Sequence, residues 1–354
     1  MAGGSGLSDR VRLPDRLRRS ADPIDAGEAP VLLFFSDFER DKLFRHDRYL
    51  QRVVRPMLAK VGVTGRVSGF QMWFRLLAHA LTLRGETVII NDRSLARRHP
   101  DWPVGLVGYP HLLDDWNLPN PAVLGPAMLN HPAEDPDLMT DPRFRHYLVT
   151  CSWMHDLFRP AFGEGVESWF AGIDVDLWPS PPDRERSIDV LIYDKIRWNR
   201  DTLTPVLLDA AVQKVRSAGL SFRIVTYGAY DHGEYQQLLA RARSMIFLCE
   251  HETQGMAYQE AMASGVPILA WDNGTWLDPD ADHFSDEPIP ASSVPHFSDE
   301  CGERFRTPDD LDEAFDRFWE RRADYRPREF VRDHLSVSQS ADRYMALYQA
   351  LQPV

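Results

Sequence analysis

From Ile188 to Trp271 the chain repeats one pattern, and that pattern leaves few folds open. Ile188–Tyr193, Phe222–Tyr227, Met245–Cys249 and Val266–Trp271 read as strands, the last two as buried ones. Between the first two runs, Leu203, Val206, Leu207, Ala210 and Ala211 recur at helical spacing, and Gly219 ends the helix. Glu234–Arg243 and Met256–Ser264 read as the next two helices. Strands alternating with helices in this way call for a parallel sheet with right-handed crossovers. Ligands then belong at the C-terminal edge of the strands.

The first half carries the same signal more loosely. Val31–Phe35 opens a domain as a buried strand, and the polar stretch Arg40–Lys60 reads as helical. Gly62, Gly65 and Gly69, with Arg66 among them, form a glycine loop before a helix marked by Phe70, Trp73, Phe74, Leu77 and Leu81 and stopped by Gly85. Such a loop lets backbone N–H groups approach a phosphate at a helix N-terminus, although glycines also serve plain turns. Thr87–Asn91, Val104–Val107, Ala122–Leu129 and Tyr147–Thr150 read as further strands, with many prolines between His99 and Pro142. Pro179, Pro181 and Pro182 make a stiff joint. Thr307-Pro-Asp-Asp310 resembles a capping box before the helix of Leu311, Phe315, Phe318 and Trp319, and a helix through Tyr344, Leu347 and Leu351 closes the chain. The expected division is a mobile arm at 1–29, an N-terminal domain at 30–178, a C-terminal domain at 179–335, and a closing segment at 336–354 packed back on the N-terminal domain.

Composition narrows the function. A chain of 354 residues, 44% hydrophobic, can bury two domain cores, and a net charge of −13 argues against nucleic acid as a partner. Cys151, Cys249 and Cys301 have no spacing that suggests a disulfide framework or a zinc site, which fits a reduced cytoplasm. Met1–Ser20 lacks a signal-peptide core and no apolar run approaches the roughly 18–20 residues that span a bilayer, so membrane contact is peripheral at most. Arg10, Arg12, Arg16, Arg18 and Arg19 would provide such a contact, with Asp9, Asp15 and Asp22 opposing it.

The most informative stretch runs from Ile246 to Ala270. A buried strand leads into an acidic loop with Glu252 and Gly255, then into a short helix carrying Glu260, a stop at Gly265, Pro267 and another buried strand. Glu252 falls at the strand's C-terminal edge and Glu260 a turn or so into the helix. A diphosphate suits the helix N-terminus, where free amides and the macrodipole favour negative charge. The carboxylates then accept hydrogen bonds from sugar and ribose hydroxyls. Two glutamates at this spacing are common, and spacing alone reads as a solvated helix face.

Glu252, Glu260 and the following Ala261-Met-Ala-Ser-Gly265-Val-Pro267 resemble the E-x7-E signature of the retaining glycosyltransferases of family four. The loop Gly65–Gly69 resembles that family's N-terminal glycine loop, and Ala171–Trp178 the segment that joins its domains. The resemblance covers most of residues 62–335 and implies an α/β, GT-B fold: two Rossmann-like, doubly wound domains facing a central cleft. It implies that Glu252 contacts the donor sugar and Glu260 the ribose, while backbone amides of Thr253, Gln254, Gly255, Met256 and Ala257 hold sugar and phosphate. Gly65, Arg66 and Gly69 join the substrate-binding set. Lys195 and Arg200 match the family's diphosphate-gripping basic pair with the residue types reversed, and Arg197 competes for that place. His131 matches the histidine near the reacting carbon, with His111 as its rival; His155 and His251 carry no assigned role.

Two departures matter. Glu39–Val61 is inserted between the first strand and the glycine loop, and only Gly228–Arg243 stands where the family has a further strand–helix unit that contacts the base. The implied reaction is front-side displacement through an oxocarbenium-like state, with no cofactor and no metal, since Asp174-Val-Asp176 lies in the joint rather than at a strand end. The implied donor is a nucleotide-diphospho-sugar, UDP favoured and GDP second. The acceptor would be a glycan, a lipid-linked sugar or a small molecule. A nucleotide-sugar epimerase or hydrolase of the same fold, or a catalytically silent nucleotide-sugar-binding module, stand as alternatives.

Overall fold

A computed structural model of the chain describes residues 29–36, 69–114 and 116–352. The expected arm (all but its last residue), the insertion 39–61, and Gly65 and Arg66 lie outside them; Gly69 is the first residue of a helix. Contacts divide the described chain into two compact units. One holds residues 150–157 and 170–340; the other holds the residues before 150 together with 158–169 and the end of the chain from 341. The chain thus passes between the units several times.

The N-terminal unit is built on six parallel strands: β1 (Val31–Ser36), β2 (Val88–Ile90), β3 (Val104–Gly108), β4 (Ala122–Leu124), β5 (Phe144–Val149) and β6 (Val166–Ser168), in the order β2-β1-β3-β4-β5-β6. The helix Gly69–Arg84 buries Phe74, Leu77, Ala78 and Leu81, and ends where Gly85 takes a φ of +100° that other residues avoid. The strand expected over Ala122–Leu129 stops at Leu124. Gly125 turns with φ +98°, Pro126 has no N–H to offer a neighbour, and Ala127 is also left-handed at +47°. Residues 127–129 stay buried outside the ladder, with the Leu129 N–H donating to the Tyr147 hydroxyl at 2.9 Å. The C-terminal helix Val337–Gln349 brings Tyr348 to the sheet, where its hydroxyl accepts from the Leu32 N–H (2.8 Å) and donates to the Pro103 carbonyl (2.6 Å). A Cβ on Gly105 would fall 2.0 Å from the Tyr344 hydroxyl, which is why β3 carries a glycine there.

The C-terminal unit has five parallel strands, β7 (Val190–Lys195), β8 (Phe222–Thr226), β9 (Met245–Cys249), β10 (Ile268–Trp271) and β11 (Gly302–Phe305), in the order β11-β10-β9-β7-β8. Val190, Ile192, Ile246 and Leu248 on one face pack with Leu207, Phe315 and Phe318 from helices. The first crossover runs as a helix from Arg200 to Ser217 with a π-helical turn over Thr204–Asp209. The helix His232–Arg241 starts at Asp231, whose carboxylate accepts from the Glu234 N–H at 2.8 Å. That single helix links β8 to β9, and β8 pairs only with β7 among the described strands. The helix Leu311–Glu320 carries the expected capping box between Thr307 and Asp310. β11 and the helix Pro327–His334 had no counterpart in the sequence reading, because Glu303 and Arg304 break up the apolar run that marks a buried strand.

In this sheet the chain leaves β7 toward β8 and leaves β9 toward β10. The strand order therefore reverses between β7 and β9, and ligands of open α/β sheets collect at the carboxyl ends of strands at such a point.

Candidate active site

Lys195 and Cys249 are register partners at the ends of β7 and β9. Beyond them, residues 196–199 and 250–255 form two adjoining loops. The Glu250 side chain is fully buried; its carboxylate accepts from the N–H groups of Arg197 (2.7 Å) and Trp198 (3.0 Å), with the Arg197 Nε at 3.4 Å. Arg197 also donates to the His251 carbonyl (3.0 Å) and lies 4.0 Å from the centre of the Trp198 ring. His251 stacks on Trp198 at 5.5 Å, and burial, followed by the charges of Arg197 and Lys195, pushes its pKa down to about 3. It is a neutral ring at any ordinary pH.

Lys195 reaches Glu252: its ammonium donates to the carboxylate at 2.5 Å, with each side chain 11% exposed. Burial opposes the ammonium charge, but Glu252 outweighs it and holds the pKa above that of a free lysine. The Tyr227 ring lies 4.4 Å from the same nitrogen. Arg200, expected beside a diphosphate, instead grips Asp194 through both guanidinium nitrogens (3.0 and 2.8 Å) and donates to the Ile196 carbonyl. Asp194 is 2% exposed, so this guanidinium neutralises a charge buried at the end of β7. Lys195, Arg197 and Arg200 are thus each paired with an acid: Glu252, Glu250 and Asp194.

The helix Met256–Ala263 starts at Gly255, whose φ of +83° and 2.0 Å distance from a notional Cβ to the Tyr258 ring exclude any larger residue. No side chain caps this end, and the amides of Met256, Ala257 and Tyr258 have no intrahelical acceptor. The loop before it is clamped from residues 150–153. Thr150 donates to the Thr253 carbonyl (2.8 Å), Trp153 Nε1 to the Glu252 carbonyl (2.9 Å), and the Glu252 N–H to the Ser292 carbonyl (2.9 Å). Gln254 is committed to structure: its side chain accepts from the Ala171 N–H (3.0 Å) and donates to the Ala171 carbonyl (2.8 Å). Only its backbone remains for a ligand. Glu260, 6% exposed in the helix's second turn, has its pKa raised to about 8 by burial. Its nearest basic group is His232, with Nε2 3.9 Å from Oε1.

The expected set therefore divides. Lys195, Arg197, Glu252, Thr253, Gly255, Met256, Ala257 and Glu260 meet at one sheet edge; Arg200 and the Gln254 side chain hold that edge together. His131 belongs to the N-terminal unit, where its Nδ1 accepts from the Ala133 N–H (3.1 Å) and caps the turn Pro132–Glu134. Its rival His111 bonds the Ser36 hydroxyl at 2.9 Å. The sequence reading missed Asp194, Glu250, Thr150 and Trp153. An aspartate inside the apolar run of β7 and a second acid two residues before Glu252 were the available signals. Asp174 caps its own turn by accepting from the Asp176 N–H (3.0 Å).

No protein-family model matches the sequence, and no curated protein matches it. Among solved structures, an S. aureus TarM mutant in complex with fondaparinux, α-GlcNAc-glycerol and UDP is similar with a TM-score of 0.50 and 13% identity, covering 77% of this chain and 58% of that one. The chain thus spans little more than half of that TarM. Sucrose-phosphate synthase from Thermosynechococcus elongatus (TM-score 0.48, 12% identity, 92% of this chain and 99% of that one) is a further neighbour. So is the apo lipopolysaccharide outer core galactosyltransferase WaaB (0.49, 9%, 91% and 99%). With the two parallel sheets, the TarM likeness establishes the fold as GT-B, two Rossmann-like domains. Among the described residues, no helix is long and apolar enough to cross a membrane.

Two outcomes follow from these pairings. Arg200→Ala leaves Asp194 buried without its partner and lowers unfolding stability by about 1–3 kcal/mol, with a smaller loss when Asp194→Asn accompanies it; a change within about 0.5 kcal/mol, as for an ordinary surface residue, would contradict the pairing. Glu260 keeps its proton to about pH 8 when folded and releases it near 4.5 when unfolded. Its contribution to stability is therefore complete below about 4.5 and is lost as pH rises to about 8. Each tenfold difference in proton affinity between the two states is worth roughly 1.4 kcal/mol, so thermal melts of Glu260→Gln should match the wild type near pH 5 and exceed it near pH 8. Parallel pH profiles would refute the burial effect.

Proposed function

We propose that the chain is a retaining glycosyltransferase of the E-x7-E type, moving a sugar from a nucleotide-diphospho-sugar to an acceptor hydroxyl without a metal ion. One observation carries the reading: Glu252 and Glu260 flank an uncapped helix N-terminus at the reversal point of a parallel sheet, with Lys195 seated on Glu252. The helix amides take the diphosphate. Lys195 moves its ammonium from Glu252 to the departing phosphate, and Glu252 is freed to accept from the donor sugar's hydroxyls. Removing one such donor to developing charge costs about 10²–10³ in rate. Arg197 lies next to this pair, and Arg200 serves by holding Asp194 and the Ile196 carbonyl. Glu260 accepts from the ribose.

The C-terminal domain is the donor side and the N-terminal domain the acceptor side. His131 is the histidine of that domain proposed to stand near the reacting carbon. UDP, the nucleotide in the TarM complex, is the favoured carrier, with GDP second. The acceptor is a glycan, a lipid-linked sugar or a small molecule, and membrane contact is peripheral. Three buried, free thiols suit a cytoplasmic enzyme. Pairing of all three cations with acids favours a second reading, a catalytically silent nucleotide-sugar-binding module.

Glu252→Gln separates these. It should lower kcat/KM for the donor about ten- to a hundredfold, the worth of a hydrogen bond to a charged group. UDP affinity measured with chelator should not fall, because Lys195 no longer has a carboxylate to satisfy. Wild-type transfer rates in the variant would end the E-x7-E assignment. Donor-protected melting with no turnover over any acceptor would establish the silent module, and release of free sugar or an isomer would indicate a hydrolase or epimerase.

A further inference from the structure

His232 is the first residue of the helix His232–Arg241 and sits edge-on to Trp178, with ring centres 5.4 Å apart. Among the described residues its Nε2 is buried without a hydrogen-bond partner. That nitrogen lies 3.9 Å from Oε1 of Glu260, the side chains being 26% and 8% exposed. The gap is too long for a hydrogen bond between the two groups. One hydroxyl oxygen standing about 2.8 Å from each would satisfy both groups, once a small side-chain movement admits it.

The chemistry of the pair points the same way. Burial favours the neutral form of both groups, lowering the His232 pKa and raising that of Glu260 to about 8. A neutral histidine and a carboxyl group offer a mixed donor and acceptor edge, which suits an alcohol rather than an ion. Glu260 stands four residues beyond the first helix amide, about 6 Å along the axis. A phosphate at those amides would place the sugar bonded to it near this pair.

We infer that His232 and Glu260 together hold one hydroxyl of the nucleotide's ribose diol, and that His232 makes the site select ribonucleotide over deoxyribonucleotide donors. This role depends on Glu260 being the ribose contact and adds a residue that the E-x7-E pattern does not contain. A site built around a hydroxyl rejects the analogue that lacks it, because its own polar atoms are left unpaired.

Calorimetry with UDP, 2′-deoxy-UDP and 3′-deoxy-UDP on wild type, His232→Ala and His232→Gln tests the assignment. The wild type should prefer UDP over one deoxy analogue by about tenfold or more. His232→Ala should weaken UDP by about tenfold and leave that same analogue unchanged. His232→Gln, which keeps a nitrogen near the Nε2 position, should recover part of the preference. Equal weakening of all three ligands, or no change in UDP binding, would overturn the role of His232. Failure of the wild type to bind UDP and GDP at all would overturn the nucleotide reading itself, and this selectivity with it.

Discussion

Burial of the Glu250 carboxylate governs the geometry at the carboxyl edge of the second sheet. A charge removed from water is tolerated only when its lone pairs are filled. The donors that fill them, the N–H groups of Arg197 and Trp198 and the Arg197 guanidinium, all come from the loop after β7, whereas Glu250 itself follows β9. One side chain therefore stitches together the two loops that part company at the reversal of strand order. Lys195 is held against Glu252, Trp198 is laid over His251, and the Thr253–Gly255 turn arrives at the helix N-terminus in one fixed direction.

The same pairings set the electrostatics. The site holds basic groups without a net excess of positive charge, because Lys195, Arg197 and Arg200 each face a carboxylate. On the proposed function, a diphosphate at this site would gain most from the helix amides and from a cation able to change partners. Lys195 is the natural candidate: it is bonded to a single carboxylate oxygen, and sugar hydroxyls can replace it as donors to Glu252. Arg200 is bound by two Asp194 oxygens and a carbonyl, and Arg197 by Glu250 and a carbonyl, so both have more to lose.

Much of this arrangement was legible in the sequence, for identifiable reasons. β7, β9 and β10 are short apolar runs between glycine and helix signals, and a parallel sheet buries such runs on both faces, whereas β8 is an edge strand that leaves Arg223 and Ile224 exposed. Glu252, Gly255 and Glu260 could be placed on loop and helix because Gly265 and Pro267 mark where the helix ends. The partners were not legible. Nothing local in the sequence says that Arg200 turns back to Asp194, or that Gln254 is used up on the backbone of Ala171, eighty-three residues away. Such contacts are decided by which buried polar atom most needs a partner, a property of the packed chain. β11 was hidden for a related reason, since Glu303 finds Arg321 and Tyr325 only after folding.

The central claim is that the helix Met256–Ala263 and the loop before it receive a nucleoside diphosphate without help from a metal. Amide hydrogen exchange on the wild-type protein, with and without UDP and with chelator throughout, tests it most directly. The account predicts slowed exchange concentrated in residues 253–258 and around Lys195, with the N-terminal sheet unchanged. Protection that appears only with magnesium or manganese, or that falls elsewhere while residues 253–258 exchange as before, would contradict it.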